Sequence, residues 1–300
     1  MKRKIIKQGA GTLTISLPTS WTKLFRLKQG DEIDVVQESN VLVVSTKEQL
    51  RSKSVELDLS GFSTPMIWIY LANAYIRGDD EVKVIFDDPR IMNEVSKASN
   101  DFIGFEVIEQ GKKHCVLKDL SGTTEVDLDM ILRRIFLLIL SVAEEGLEAL
   151  NKKDIAMLNQ VLSQRDHEVN KLISFYLRNL NKRGLGDFQK AMHYHTIVNF
   201  IEHLADEYTR LYNEIEKPVC PESAKTFDDV VKLTRDFYDL FYKYNVSLAQ
   251  KIRDKRDQIR AKTNKLMLNK GLNEIRFLYR VKKIAELIYD IEKIHVGGQI

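Results

Sequence analysis

The stretch that decides the fold runs from Gly9 to Ser45, GAGTLTISLPTSWTKLFRLKQGDEIDVVQESNVLVVS. It reads as a short strand, a Leu-Pro turn onto a brief helix, a Gly-Asp turn and two further strands. Seven cations (Lys2, Arg3, Lys4, Lys7, Lys23, Arg26 and Lys28) crowd its neighbourhood, and the first acidic residue is Asp31. A strand-rich unit of fewer than about fifty residues cannot bury a stable core alone, so a second copy is expected to complete it. A two-fold basic β-surface of that kind is chemically suited to the phosphates of duplex DNA.

The remaining composition is that of a folded protein. The chain has 300 residues, 44% of them hydrophobic and 30% charged, with a formal net charge of +3. That length implies two or three domains. The small net charge predicts little by itself; the surplus at the N-terminus is the informative part. Cys115 and Cys220 stand alone, without a CxxC pair, which fits a reducing cytoplasm. The start, MKRKIIKQGAG, has no apolar signal segment. The apolar run from Ile135 to Ala143 is too short to span a bilayer, so a cytoplasmic protein without membrane insertion is expected.

Proline spacing exposes the organisation, because no proline occurs between Pro89 and Pro218 or after Pro221. Leu128, Ile131, Leu132, Ile135, Leu138, Ile139, Val142, Leu147 and Leu150 fall on one helical stripe. A second helix is expected over about 153–182, with Asn151 as its N-cap and Gly184-Leu-Gly186 as its end, and a third over about 187–216. Beyond the Pro218 to Pro221 joint, long helices are expected over 224–262 and 271–295, three in all and less cleanly separated than the first three. Between Val55 and Asp127 the order βαβαββ predicts a small α+β connector without a phosphate loop, metal cluster or nucleophile pair. The expected fold class is multidomain α+β, with domains at 1–50, 51–127 and 128–300, the last holding repeats at about 128–217 and 222–296.

With those residues in view, the segment from about Arg3 to Thr46 resembles the AbrB/MazE/SpoVT swapped-hairpin family. The resemblance lies in the Gly-led strand ending at Leu17-Pro18, the helix around Trp21 to Phe25, and Leu27-Lys-Gln-Gly30-Asp31 before two strands. It implies two chains interlacing hairpins into a small β-barrel, homodimerisation and DNA binding. Arg3, Lys4, Lys7, Lys23 and Arg26 are the expected DNA contacts, with Thr12, Thr14 and Ser16 on one strand face as phosphate donors. Many members carry Arg where this chain has Thr12.

The third helix contains HYHTIVNFIEHLADEYTRLYNEI, whose core stripe is Val198, Ile201, Leu204, Ala205, Tyr208, Tyr212 and Ile215. At 100° per residue, His195, Glu202 and Asp206 gather on another face. Glu202 and Asp206 lie one turn apart, where two carboxylates repel unless a cation separates them. Ile201-Glu-His-Leu-Ala-Asp206 is echoed by Val281-Lys-Lys-Ile-Ala-Glu286. Two three-helix repeats ending in this segment resemble the PhoU family of phosphate-signalling proteins, over about 128–295. That resemblance implies a surface metal of divalent or iron type held by Glu202 and Asp206, with Asp166 from the packed helix. His203 stands at the usual Arg position, and Lys282 replaces the first carboxylate in the second repeat, leaving Glu286 and Asp290 in another register.

The two resemblances together are similar to the archaeal-type phosphate-uptake regulators. They imply a DNA-addressing N-terminal part and helices that sense a state or bind a partner such as a phosphate-transport ATPase or sensor protein. The alternative is an adaptor that does not bind DNA, with FYDLFYKYNV (Phe237 to Val246) as a contact surface. An antitoxin is disfavoured by the long structured tail. Catalysis is not expected: there is no paired Glu-x-x-His, and no nucleophile elbow, Walker loop or HExxH.

Overall fold

The computed structural model describes residues 2–9, 11–38, 41–46, 53–122, 126–185, 187–215 and 217–298, with the side chains at 36, 38, 41, 43, 45, 155 and 159–166 excepted. The chain divides into two compact units, Met1–Lys53 and Ser54–Ile300.

In the first unit, β1 (Ile6–Gln8) and β2 (Thr12–Thr14) pair antiparallel, followed by α1 (Thr19–Leu24), β3 (Asp34–Glu38) and β4 (Val41–Ser45). The single opening strand expected from the sequence is therefore a hairpin. Gly9, at φ +68°, provides the left-handed residue that reverses the chain. In one chain the strands form two separate two-stranded ladders, β1-β2 and β3-β4, rather than a closed barrel. No residue of α1 is buried.

The second unit starts with a four-stranded sheet in the order β5-β6-β8-β7. Its elements are β5 (Ser54–Asp58), α2 (Thr64–Arg77), β6 (Glu81–Ile85), α3 (Arg90–Ser99), β7 (Phe105–Gln110) and β8 (His114–Asp119), the expected βαβαββ order. β5 runs parallel to β6 across the α2 crossover, and the other neighbours are antiparallel. Ile67, Leu71 and Tyr75 of α2 close over Val82 and Val84 of β6 and Cys115 and Leu117 of β8.

Six helices follow: α4 (Leu128–Lys152), α5 (Ile155–Arg183), α6 (Phe188–Asn213), α7 (Pro221–Tyr242), α8 (Val246–Met267) and α9 (Leu272–Gly297). They form two three-helix repeats in which α4 packs on α7 and α6 on α9, so equivalent helices meet. One expectation needs correction. The N-cap of α5 is Asp154, whose carboxylate accepts from Met157 N–H at 3.0 Å, and not Asn151. Asn151 stays within α4, because that helix ends only where Lys153 turns left-handed, at φ +56°. The three helices expected beyond the joint are present, and the stretch 224–262 holds the first two of them. Asn245 leaves the helical conformation and its side chain accepts from Leu248 N–H at 3.1 Å, capping α8.

The six helices share one core, which takes in the whole α6 stripe from Val198 to Ile215. Phe237 and Phe241 also lie inside, packed around Phe136 with ring centroids 5.7 and 4.8 Å away. Tyr238 and Tyr242 pack against the same core, so four of the five aromatics of FYDLFYKYNV serve it, while the segment's end from Lys243 to Val246 is exposed. The α+β module is fastened to this bundle by Arg178 of α5, which is 2% exposed. Its guanidinium donates to the Tyr75 and Asp79 carbonyls at 2.7 and 2.9 Å and to Asp119 Oδ2 at 2.6 Å. Lys182 adds an ion pair to Asp80.

Candidate nucleic-acid interface and acidic stripe

Each predicted cation of the first unit is exposed: Arg3, Lys4 and Lys7 before and on β1, and Lys23 and Arg26 on and after α1. Arg26 holds a left-handed backbone at φ +52°, just past the C-cap of α1. Trp21 and Phe25 pack with ring centroids 5.4 Å apart and stiffen the short helix. Thr12 and Ser16 are exposed, whereas Thr14 is half-buried and its hydroxyl donates to the Ile6 carbonyl at 3.2 Å. That bond ties β2 to β1 and occupies the hydroxyl proton of Thr14.

The same unit exposes large apolar residues. Ile5, Ile6, Leu13, Ile15, Leu24, Val35 and Leu42 are 52–67% exposed. Ile6 pairs with Thr14, and Leu13 with Lys7, so both faces of the β1-β2 ladder carry uncovered apolar surface. An isolated chain leaves these groups in water, at a cost of roughly 25 cal/mol per Å².

On α6, Glu202 and Asp206 are half-buried and sit together as expected. Burial raises the Glu202 carboxyl above its ordinary value; the Asp206 charge adds to the rise and His203 opposes it. Arg210, one turn on, donates to Asp206 Oδ2 at 2.8 Å. A side chain of this same helix therefore already supplies a cation to the pair, a contact legible in the i, i+4 spacing. His195 turns to Asn199, 3.1 Å from its Nδ1. The side chain of Asp166 lies outside the described residues. Among the described residues, no group of three His, Cys, Asp or Glu side chains gathers to hold a metal.

In the second repeat, arginines occupy the equivalent surroundings. Glu286 of α9 is paired with Arg256 at 3.1 Å and Arg260 at 3.8 Å, both from α8. Arg256 lies over the Tyr289 ring at 3.9 Å, Lys282 donates to Asn264 Oδ1 at 2.9 Å, and Asp290 is paired with Lys293 at 2.7 Å. The sequence reading also missed the lock between the repeats. Glu207, with its side chain 6% exposed, pairs with Arg210 at 2.6 Å and with Arg280 of α9 at 3.1 Å. Arg280 also reaches Glu214 at 2.7 Å. Glu207 lies between the apolar positions Leu204 and Leu211, and a carboxylate in that register was the available signal for a buried partner.

No protein-family model matches the chain, and no curated protein matches it in sequence. Among solved structures, the chain is similar to the crystal structure of the phosphate transport system regulatory protein PhoU from Streptococcus pneumoniae. The TM-score is 0.44 and the identity 16%, over 56% of this chain and 91% of that one.

Proposed function

We propose that this chain is a DNA-binding transcriptional regulator of phosphate uptake, acting in the cytoplasm as a homodimer. In this reading two copies of the first unit interlace into one β-barrel that grips duplex DNA. The helices behind it sense a state or bind a protein partner. One observation carries the reading: seven cations and seven large apolar side chains of a unit of about fifty residues all face solvent in the single chain. A second copy covers the apolar set and doubles the cationic one. The phosphate assignment rests on the resemblance of segment 128–295. Among the described residues no helix is long and apolar enough to cross a membrane.

The test is an anisotropy titration of duplex DNA at several salt concentrations. With three or four phosphate contacts per protomer, log affinity falls against log salt with a slope of about −5 to −7. Lys4→Glu, Lys7→Glu and Lys23→Glu together abolish binding if the unit is the DNA grip. Binding that ignores these changes, or is absent at low salt, leaves the adaptor. Genome-wide mapping of bound sites then tests the phosphate assignment, with enrichment expected upstream of phosphate-transport genes.

A further inference from the structure

The second unit carries an uncovered apolar stripe of its own, on α2. Ile67, Leu71, Ala74 and Tyr75 point into the core of the α+β module, while Met66, Ile69 and Tyr70 are 40–42% exposed on the opposite side. At 100° per residue Met66, Asn73 and Arg77 fall between Ile69 and Tyr70 on a stripe about 100° wide, a single seam along the helix. Phe62 extends it, meeting the Tyr70 ring edge-on with centroids 5.0 Å apart. At the other end Arg77 has 60% of its side chain exposed.

We infer that this seam packs against the same seam of a second copy of the chain, as an antiparallel α2–α2 contact across a two-fold axis. The inference rests on the dimer proposed above. The pattern is self-complementary: a two-fold axis between Ile69 and Tyr70 sets Met66 against Asn73 of the other copy. The same axis sets Phe62 against Arg77, an aromatic ring opposite a guanidinium. Antiparallel packing also opposes the two helix dipoles. Because both units belong to one chain, pairing of the first units holds two second units at an effective concentration of order millimolar. A contact too weak to form alone then persists. The contact fixes how the two helical bundles are presented relative to each other, so a partner of the bundles would meet a defined pair rather than two swinging bodies.

Full-length protein carrying Ile69→Cys in a Cys220→Ser background, treated with a short bis-maleimide, tests this; Cys115 is fully buried and does not compete. A covalent dimer is expected in high yield with Ile69→Cys, and none with Lys265→Cys in the same background. Met66→Glu with Ile69→Glu should weaken dimerisation, read by sedimentation, about tenfold or more, because apolar contact area is lost on both copies. A chain that sediments as a dimer without the Ile69→Cys cross-link, and is unaffected by the Glu changes, overturns the α2 contact alone. A chain that is monomeric at tens of micromolar overturns both this contact and the dimer on which it rests.

Discussion

Arg178 of α5 meets Asp119 of β8 at 2.6 Å, with both side chains nearly removed from solvent, at 2% and 8% exposure. This pair makes the sheet and the helices one body. Burial pushes the Asp119 carboxyl up, but the Ser121 hydroxyl, Arg178 and the Ser121 N–H outweigh it and hold it below its ordinary value.

Arg178→Met removes the guanidinium and leaves Asp119 and the carbonyls of Tyr75 and Asp79 without it. Breaking a buried pair from one side costs about 3–5 kcal/mol, and that loss is the expected shift in urea unfolding. Asp119 with its depressed carboxyl stabilises the fold above its unfolded value, and that contribution is lost as pH falls through the folded one. The wild type should therefore weaken in acid by a component that the variant lacks.

Gly146 sits inside α4, where Ala would ordinarily favour the helix by about 1 kcal/mol. Here a Cβ would overlap the Tyr212 ring and hydroxyl, and that hydroxyl donates to the Val142 carbonyl at 2.9 Å. Gly146→Ala should thus destabilise by about 1–3 kcal/mol through overpacking, opposite in sign to the propensity. Thermal unfolding by circular dichroism checks the sign. An increase in Tm would show that the Tyr212 contact is not as described.

His295 near the C-terminal end of α9 is 3% exposed, stacks on Phe241 with centroids 4.4 Å apart, and has no partner for Nε2 among the described residues. Burial, with a smaller contribution from His193, lowers it to about 4. Below pH 6.5 the unfolded chain takes up a proton there that the folded chain refuses, so stability falls as pH drops from 6.5 towards 4. Integrated over that window the loss is about 3 kcal/mol. His295→Phe keeps the stack and removes the titration, so its stability should change less between pH 7 and 5. Equal acid sensitivity in both proteins would contradict the assignment.

Glu202 is held above its ordinary value by burial and by Asp206, so its charged form is penalised in the fold and the penalty grows as pH rises. Without a metal, Glu202→Gln relieves it and raises stability at pH 7. With a bound divalent or iron-type ion the sign reverses, because a ligand is lost. Elemental analysis beside the melting curve separates the cases: a Tm rise with equal metal content in both proteins removes the site.

The helical spacing of apolar residues was legible from the chain alone. The α6 stripe from Val198 to Ile215 is buried as the 3.6-residue period requires, and the βαβαββ order follows alternation and turn residues. The break at Asn245 was not, because apolar spacing continues through it and only the cap bond to Leu248 marks the turn. The candidate site was half legible: i, i+4 spacing alone brings Glu202 and Asp206 together.

Local periodicity and the uninterrupted cationic N-terminus set the elements, their order and the placement of the exposed charges, since these depend only on neighbours along the chain. Which buried charge answers which was decided by tertiary structure. Arg178 meets Asp119 across 59 positions and Arg280 meets Glu207 across 73. Packing of separate helices brings such groups out of water together, and no pattern within either segment records the other's position.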